Sequence, residues 1–316
     1  MAHGSRDPRA TATVEALLER VRLARPGLAV HAAYLDHARP SLPEVLASLD
    51  EAVVLPLLLT DAYHTRVDIP AFLREEAARR DTHPERSARP SRSPGLGAAM
   101  PARTRPPLVV HQGAALGPHP LLITALERRL AEAGVEIGDP ETAVVLVSAG
   151  SSDHRAIAVI DEMAHDWALA RGWHSVTPAY ASAASPTPEE AVRRLLAAHP
   201  SPLSPALGAG PRTSARHDPP APHDSPARHD SPARHDFPAR SDSPARHARP
   251  ARVVVATYLL APGYFADKVR RTALAAGAHT VAAPLGPAPE LVTVLLERHA
   301  QAVSLLRTAT QVPTPG

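Results

Sequence analysis

The strongest constraint on the fold is that the chain repeats itself. SAGSSDHRA, from Ser148, lies over AHGSRDPRA, from Ala2, and YASAASPTPEEAV, from Tyr180, lies over YLDHARPSLPEVL, from Tyr34, at the same offset. VVVATYLLAPGYF, from Val253, resembles AVVLPLLLTDAYH, from Ala52, and LGPAPELVTVLLERHA, from Leu285, lies over LGPHPLLITALERRL, from Leu116. Two copies of one folding unit must therefore be buildable from the same plan.

Apolar period says what that plan is. RATATVEALLERVRLA, from Arg9, has the 3.6-residue spacing of an amphipathic helix. GLAVHAAYL predicts a strand, SLPEVLASL a short helix opened by Ser41, and AVVLPLLLT a buried parallel strand. A helix is expected after Asp68-Ile69-Pro70. LVVHQGA and PLLITALERRLAEAG predict a strand and a helix closed by Gly134, and TAVVLVSAG restarts the series. Strands that are apolar throughout, alternating with helices, form parallel sheets covered on both faces. The fold class expected is α/β, with two similar domains: residues 1–140 and 141–316, joined near Asp139-Pro140.

Two stretches interrupt the pattern. Residues 80–107 are rich in Pro, Arg, Ser and Gly without apolar period, and residues 200–250 repeat DSPARH with variants. Proline at that density breaks helices and strand ladders, so both are expected to be disordered insertions without assigned function.

The absence of cysteine excludes disulfides, thiolate metal sites and cysteine nucleophiles, so any transition metal must be held by imidazole and carboxylate. Eighteen histidines make that possible. No apolar run approaches the roughly 20 residues of a membrane span, and no leader pattern is visible, which predicts a soluble cytoplasmic protein. Phosphate-cradling glycine motifs are missing, so no nucleotide is expected. The Arg-rich insertion lacks the interleaved aromatics of a nucleic-acid surface. Ser5 beside His3 does not make a hydrolase, because G-x-S-x-G is absent.

The duplication also acts as an internal control. Where the first half has His3, Asp36 and His64, the second has Ala149, Ser182 and Phe265. A lone histidine is more often a satisfied polar residue than a ligand. Three metal-binding or proton-accepting groups present in one half and lost together from the other point to a site at the carboxyl ends of the strands. Two imidazoles and a carboxylate suit Co(II), Fe(II), Ni(II) or Zn(II) and leave coordination positions open. Asp68, four residues after His64, either caps the next helix or orients the His64 ring.

At AHGSRDPRA, YLDHARPSLPEVL and LPLLLTDAYHTRVDIP the chain resembles the class II sirohydrochlorin chelatases, in their long two-domain form, and LGPHPLL and APGYF resemble the same members. The resemblance covers nearly everything outside the two insertions. It implies two flavodoxin-like (chelatase-like) domains facing one another across a cleft, and insertion of Co2+ or Fe2+, with Ni2+ a further candidate, into a tetrapyrrole without nucleotide hydrolysis. It matches His3 and His64 to the family's histidines and Asp36 to an acidic position that is usually Glu.

On that reading His3, His64 and Asp36 hold the metal, and the histidines take the pyrrole protons. Ser5 and Arg6 pair with the peripheral carboxylates. Arg9 either does the same or is a solvated first-turn residue. Tyr63, Tyr258 and Tyr264 either pack on the macrocycle or belong to the core. A non-catalytic metal or tetrapyrrole carrier is the alternative. The partner is the small-molecule tetrapyrrole, and a monomer with pseudo-dimeric halves or a homodimer is expected.

The resemblance also implies a strand before His-Gly-Ser. Met1 stands where it would end, so the first sheet is expected to lack a member and the reading frame to start upstream; were Met1 the true start, His3 would be mobile and activity weak.

Overall fold

A computed structural model describes residues 1–60, 69–82, 108–197 and 250–310. Both expected insertions fall almost wholly outside these residues, as do Tyr63, His64 and Asp68. The described residues form one compact unit. In chain order it holds α1 (Pro8–Ala24), α2 (Leu42–Leu46), β1 (Glu51–Val54), α3 (Ile69–Thr82), β2 (Val109–Gln112), α4 (Pro120–Glu132), β3 (Thr142–Ser148), α5 (His154–Arg171), β4 (Ser175–Tyr180), α6 (Pro188–Ala197), β5 (Arg252–Thr257), α7 (Tyr264–Ala275), β6 (Thr280–Val281) and α8 (Pro289–Thr310). The expected helices are present, and α3 runs to Thr82, past the point where its composition turns linker-like.

The second half shows the plan in full. Its sheet is parallel, in the order β4-β3-β5-β6. The central strand, β3, pairs on both edges and is buried along its whole length, which is why TAVVLV contains no charge.

The first half follows the same order with less regular ladder. β1 and β2 pair in parallel, Glu51 with Val109 through Val54 with Gln112. Residues 1–3 take the place of the end of β3. The Ala2 N–H donates to the Ala33 carbonyl at 2.9 Å, and the Leu35 N–H donates to Ala2 at 3.1 Å. On the other edge, the Met1 ammonium donates to the Leu55 carbonyl at 2.8 Å, and the Leu57 N–H donates to Met1 at 2.8 Å.

This bears on two expectations. The backbone at His3 is hydrogen-bonded to the neighbouring strand: the Asp36 N–H donates to the His3 carbonyl at 2.9 Å. GLAVHAAYL does not form a continuous strand. Only Tyr34 makes bridges, to Ala2 and to Ser41. The β-favouring side chains are there, but a ladder needs a partner running alongside, and among the described residues only Tyr34 has one. Similarly, AVVLPLLLT contributes strand only as far as Val54, although Leu57 remains buried.

The halves share a core. One apolar cluster includes Leu17, Leu126, Leu146, Trp167, Tyr258 and Leu291, contributed from both halves. Contacts between α4 and α8 are approximately reciprocal. Arg129 of α4 donates to the Leu285 carbonyl at 3.1 and 2.8 Å, and Arg298 of α8, its counterpart in the repeat, donates to the Leu116 carbonyl at 3.4 Å. Residue i meeting j while the partner of j meets the partner of i is the signature of a two-fold relation, here within one chain.

Candidate functional site

The turn that carries His3 is built the same way in both halves. Gly4 has φ +97°, and a Cβ there would lie 1.7 Å from the Asp36 carbonyl oxygen; Gly150, φ +89°, would lie 1.8 Å from that of Ser182. Glycine is what lets the end of the central strand cross so close to the neighbouring strand. Ser5 Oγ then accepts the Asp7 N–H at 3.1 Å, as Ser151 Oγ accepts that of Asp153 at 3.0 Å. Asp7 caps α1 by accepting from the Arg9 N–H, and Asp153 caps α5 from Arg155 in the same way. Ser5 therefore has a structural task that its counterpart Ser151 shares.

Arg9 is also accounted for. Its guanidinium binds Asp7 at 2.6 Å and Asp267, on the first turn of α7, at 2.6 Å. Those bonds hold the Asp7 carboxyl below its ordinary range. Arg6, by contrast, is exposed, and the repeat has Ser152 in its place.

What differs between the halves is the side chains mounted on this common turn. His3 is exposed at the end of the central strand, and Asp36 is exposed at the end of the adjacent one. The main-chain bond from Asp36 to His3 ties their positions together. Asp36 is engaged by its neighbour: Oδ1 accepts the His37 N–H at 2.7 Å, and Oδ2 lies 3.3 Å from His37 Nε2.

His37 itself was not singled out in the sequence. Its φ is +59°, matched by Ala183 at +57° in the second half, so the turn tolerates alanine and the imidazole is an addition. The same comparison of halves that marks His3 and Asp36 also marks His37 against Ala183. Among the described residues no three His, Asp or Glu side chains stand close enough to share a metal ion; His64 lies outside them.

Beside His3 is a cavity of about 340 Å3 between the halves. Its lining is mostly aliphatic and comes from the carboxyl ends of both sheets: Leu35 and residues 58–60 from the first half, residues 148–151, Ile157 and residues 258–260 from the second. This is the place where open α/β sheets bind ligands. Tyr258 reaches the cavity but is only 1% exposed, and its hydroxyl donates to the Leu59 carbonyl at 2.9 Å across the two halves. Burial pushes that phenol's pKa up. Tyr258 is thus a core residue that fixes the first half's loop, the second of the two readings its sequence allowed. Tyr264 is the reverse case: it is 72% exposed at the start of α7, edge-on to Phe265 with ring centroids 5.5 Å apart.

Residues 1–133 match the CbiX family model. Among solved structures, the fold is similar to SirB from Bacillus subtilis with Fe3+, at TM-score 0.62 and 18% identity over 98% of this chain and 95% of that one. It is also similar to the sirohydrochlorin chelatase SirB from Bacillus subtilis subspecies spizizenii in complex with cobalt, at TM-score 0.59 and 14% identity over 96% and 93%. A third likeness is to CbiX, the terminal enzyme for biosynthesis of siroheme in denitrifying bacteria, at TM-score 0.53 and 15% identity over 95% and 97%. No curated protein sequence matches the chain. The structural likenesses establish a chelatase-type α/β fold. No helix among the described residues is long and apolar enough to cross a membrane.

Proposed function

We propose, taking as premise that residues 1–133 match the CbiX family, that this protein is a sirohydrochlorin chelatase working in the cavity between its halves. The observation that carries this reading is the asymmetry of a symmetric frame. The main-chain bond from Asp36 to His3 recurs from Ser182 to Ala149, so the two halves share this frame, and the duplicate carries Ala149 and Ser182 in place of the two side chains. A fold that needs neither side chain keeps both in one half, and His3 lines the cavity.

The chemistry follows from the reaction's balance. A divalent metal enters a flat macrocycle, forms bonds to its inner nitrogens and displaces two N–H protons. His3, His64 and Asp36 deliver the metal substrate, Co2+ or Fe2+, from one face. The neutral imidazoles accept the two protons as the metal leaves them. His37 is added to this set as a positioning residue, since it holds the carboxylate of Asp36. Aliphatic walls from both halves suit the flat ring, while Arg6 and Tyr264, both exposed, face the solvent that the peripheral carboxylates of such a ring must reach. Residues 1–140 and 141–316 then serve as a catalytic half and a wall-forming half, and a single chain supplies the complete site.

The test is spectroscopic. Substoichiometric protein is mixed with sirohydrochlorin and Co2+ or Fe2+, and the macrocycle absorption is followed. Many turnovers per chain are expected. His3→Ala and His64→Ala should each slow the catalysed rate by about a hundredfold or more, the scale of a lost proton acceptor. Spectral change limited to one equivalent would establish the carrier reading instead, and an unaltered rate in His64→Ala would overturn the ligand assignment.

A further inference from the structure

Lys268 is the only lysine among the chain's 34 basic residues. It stands on α7, four residues after Tyr264 and so on the same helix face. Its half-buried ammonium donates to the Ala181 main-chain carbonyl at 3.4 Å. Three N–H donors thus share one long bond, and among the described residues no carboxylate pairs with them. The acid next to it, Asp267, is bonded to Arg9 instead. The path of the side chain is as informative as its end. α7 follows β5, Ala181 follows β4, and β3 lies between those two strands. Lys268 therefore reaches across the carboxyl end of β3, where Ala149 stands in the place of His3 and Ser182 in the place of Asp36. The N–H groups of Ala181 and Ser182 donate to Ser148 and Ala149, both of which line the cavity beside His3. The half without the metal-binding side chains carries an ammonium at the matching place.

We propose that Lys268 is a substrate-binding residue: its ammonium takes a peripheral carboxylate of the macrocycle and holds the ring against the second half while the metal arrives from His3 in the first. The inference rests on the chelatase reading and adds an anchoring group to it. A half-buried ammonium with no counter-ion gains from a ligand that brings one. Aliphatic walls accept a flat ring but do not fix its rotation in its own plane, and a point charge at one edge does. Lys268 is outside the cavity's aliphatic lining, which suits a carboxylate on the ring's rim rather than the ring itself. Arg9 serves the same arrangement, because its bond to Asp267 keeps that acid from neutralising the lysine.

The experiment compares the wild-type chain with Lys268→Met, which keeps the apolar stem and removes the charge, and with Lys268→Arg, which restores it. In Co2+ insertion, Lys268→Met should raise KM for sirohydrochlorin about tenfold, the scale of one lost charge-assisted hydrogen bond, with kcat within about twofold, and Lys268→Arg should recover most of the loss. Binding of metal-free sirohydrochlorin, followed by its absorption, should weaken by the same factor. The fully esterified macrocycle, which offers no carboxylate, should bind wild type and Lys268→Met alike. Because the chain has a single lysine, isotope-labelled lysine gives one side-chain NMR signal, which should move on adding metal-free sirohydrochlorin and stay in place with the ester. An unchanged KM in Lys268→Met, measured beside an active wild type, would overturn the proposal. Equal weakening toward acid and ester, or a fall in Tm of more than about 5 °C, would also overturn it, since either marks a structural side chain. A wild-type chain that neither binds nor turns over sirohydrochlorin would overturn the chelatase reading itself, and this proposal with it.

Discussion

A methyl group at Gly4 would meet the Asp36 carbonyl oxygen at 1.7 Å, and one at Gly150 would meet Ser182 at 1.8 Å. The cost at the two sites is therefore comparable, and both also sit at positive φ. Gly4→Ala and Gly150→Ala should each destabilise by roughly 2–4 kcal/mol in chemical denaturation. Only Gly4→Ala is expected to cut the chelatase rate further than its stability loss explains, because it pushes Asp36 away from His3. A second residue-scale effect concerns the chain's own amine. Burial lowers the Met1 ammonium pKa from 8.0 to about 5. Between those values the unfolded chain binds a proton that the folded chain refuses, so stability rises with pH across that window. Scanning Tm from pH 5 to 8 should show that rise, and acetylating the amine should flatten it, since an amide keeps the donor to Leu55 without the charge.

Elements were the most legible level, because their signals are local. α2 is opened by Ser41, whose Oγ accepts the Glu44 N–H while the Glu44 carboxylate accepts the Ser41 N–H; Thr187 and Glu190 repeat this box ahead of α6. The bonds from Ser41 lower the Glu44 carboxyl's pKa. Ser41→Ala and Thr187→Ala should each cost about 1 kcal/mol, checked by urea unfolding, with little effect on rate, as neither side chain reaches the cavity by His3. Strands were less legible. GLAVHAAYL has the composition of a strand and makes only a bridge, since the requirement it fails, a partner alongside, is not local. His37 escaped notice for a different reason. The comparison of halves marks it against Ala183, but its contact with Asp36 depends on a left-handed turn that only the structure shows.

Over the whole molecule, reciprocal contacts hold the halves together. Arg129 and Arg298 each donate to a main-chain carbonyl of the opposite half. Glu127 of α4, 8% exposed, accepts from Trp167 at 2.9 Å and from Arg171 at 2.6 Å, both on α5. Removing Arg129 leaves the buried Leu285 carbonyl unpaired, a loss of about 1–3 kcal/mol. Arg129→Ala and Arg298→Ala should unfold in a single cooperative transition at lower denaturant, as two halves with one shared core require. A second, separate transition would show that the halves fold independently. The cavity beside His3 has walls from both halves, so loosening these contacts should raise KM for the tetrapyrrole before it lowers kcat.

Read alone, the sequence determined the duplication, the α/β alternation, the helix caps and the set of side chains unique to one half, because each is written in short-range spacing or in direct comparison of two copies. Only the tertiary structure decided that Tyr258 is a buried strut, that Ser5 and Arg9 make local bonds, that the Asp36 N–H binds the His3 carbonyl, and that GLAVHAAYL makes a bridge and no strand. Those outcomes depend on which distant segment lies alongside, and hydrogen bonding and burial between segments far apart in the chain leave no periodic mark on either of them.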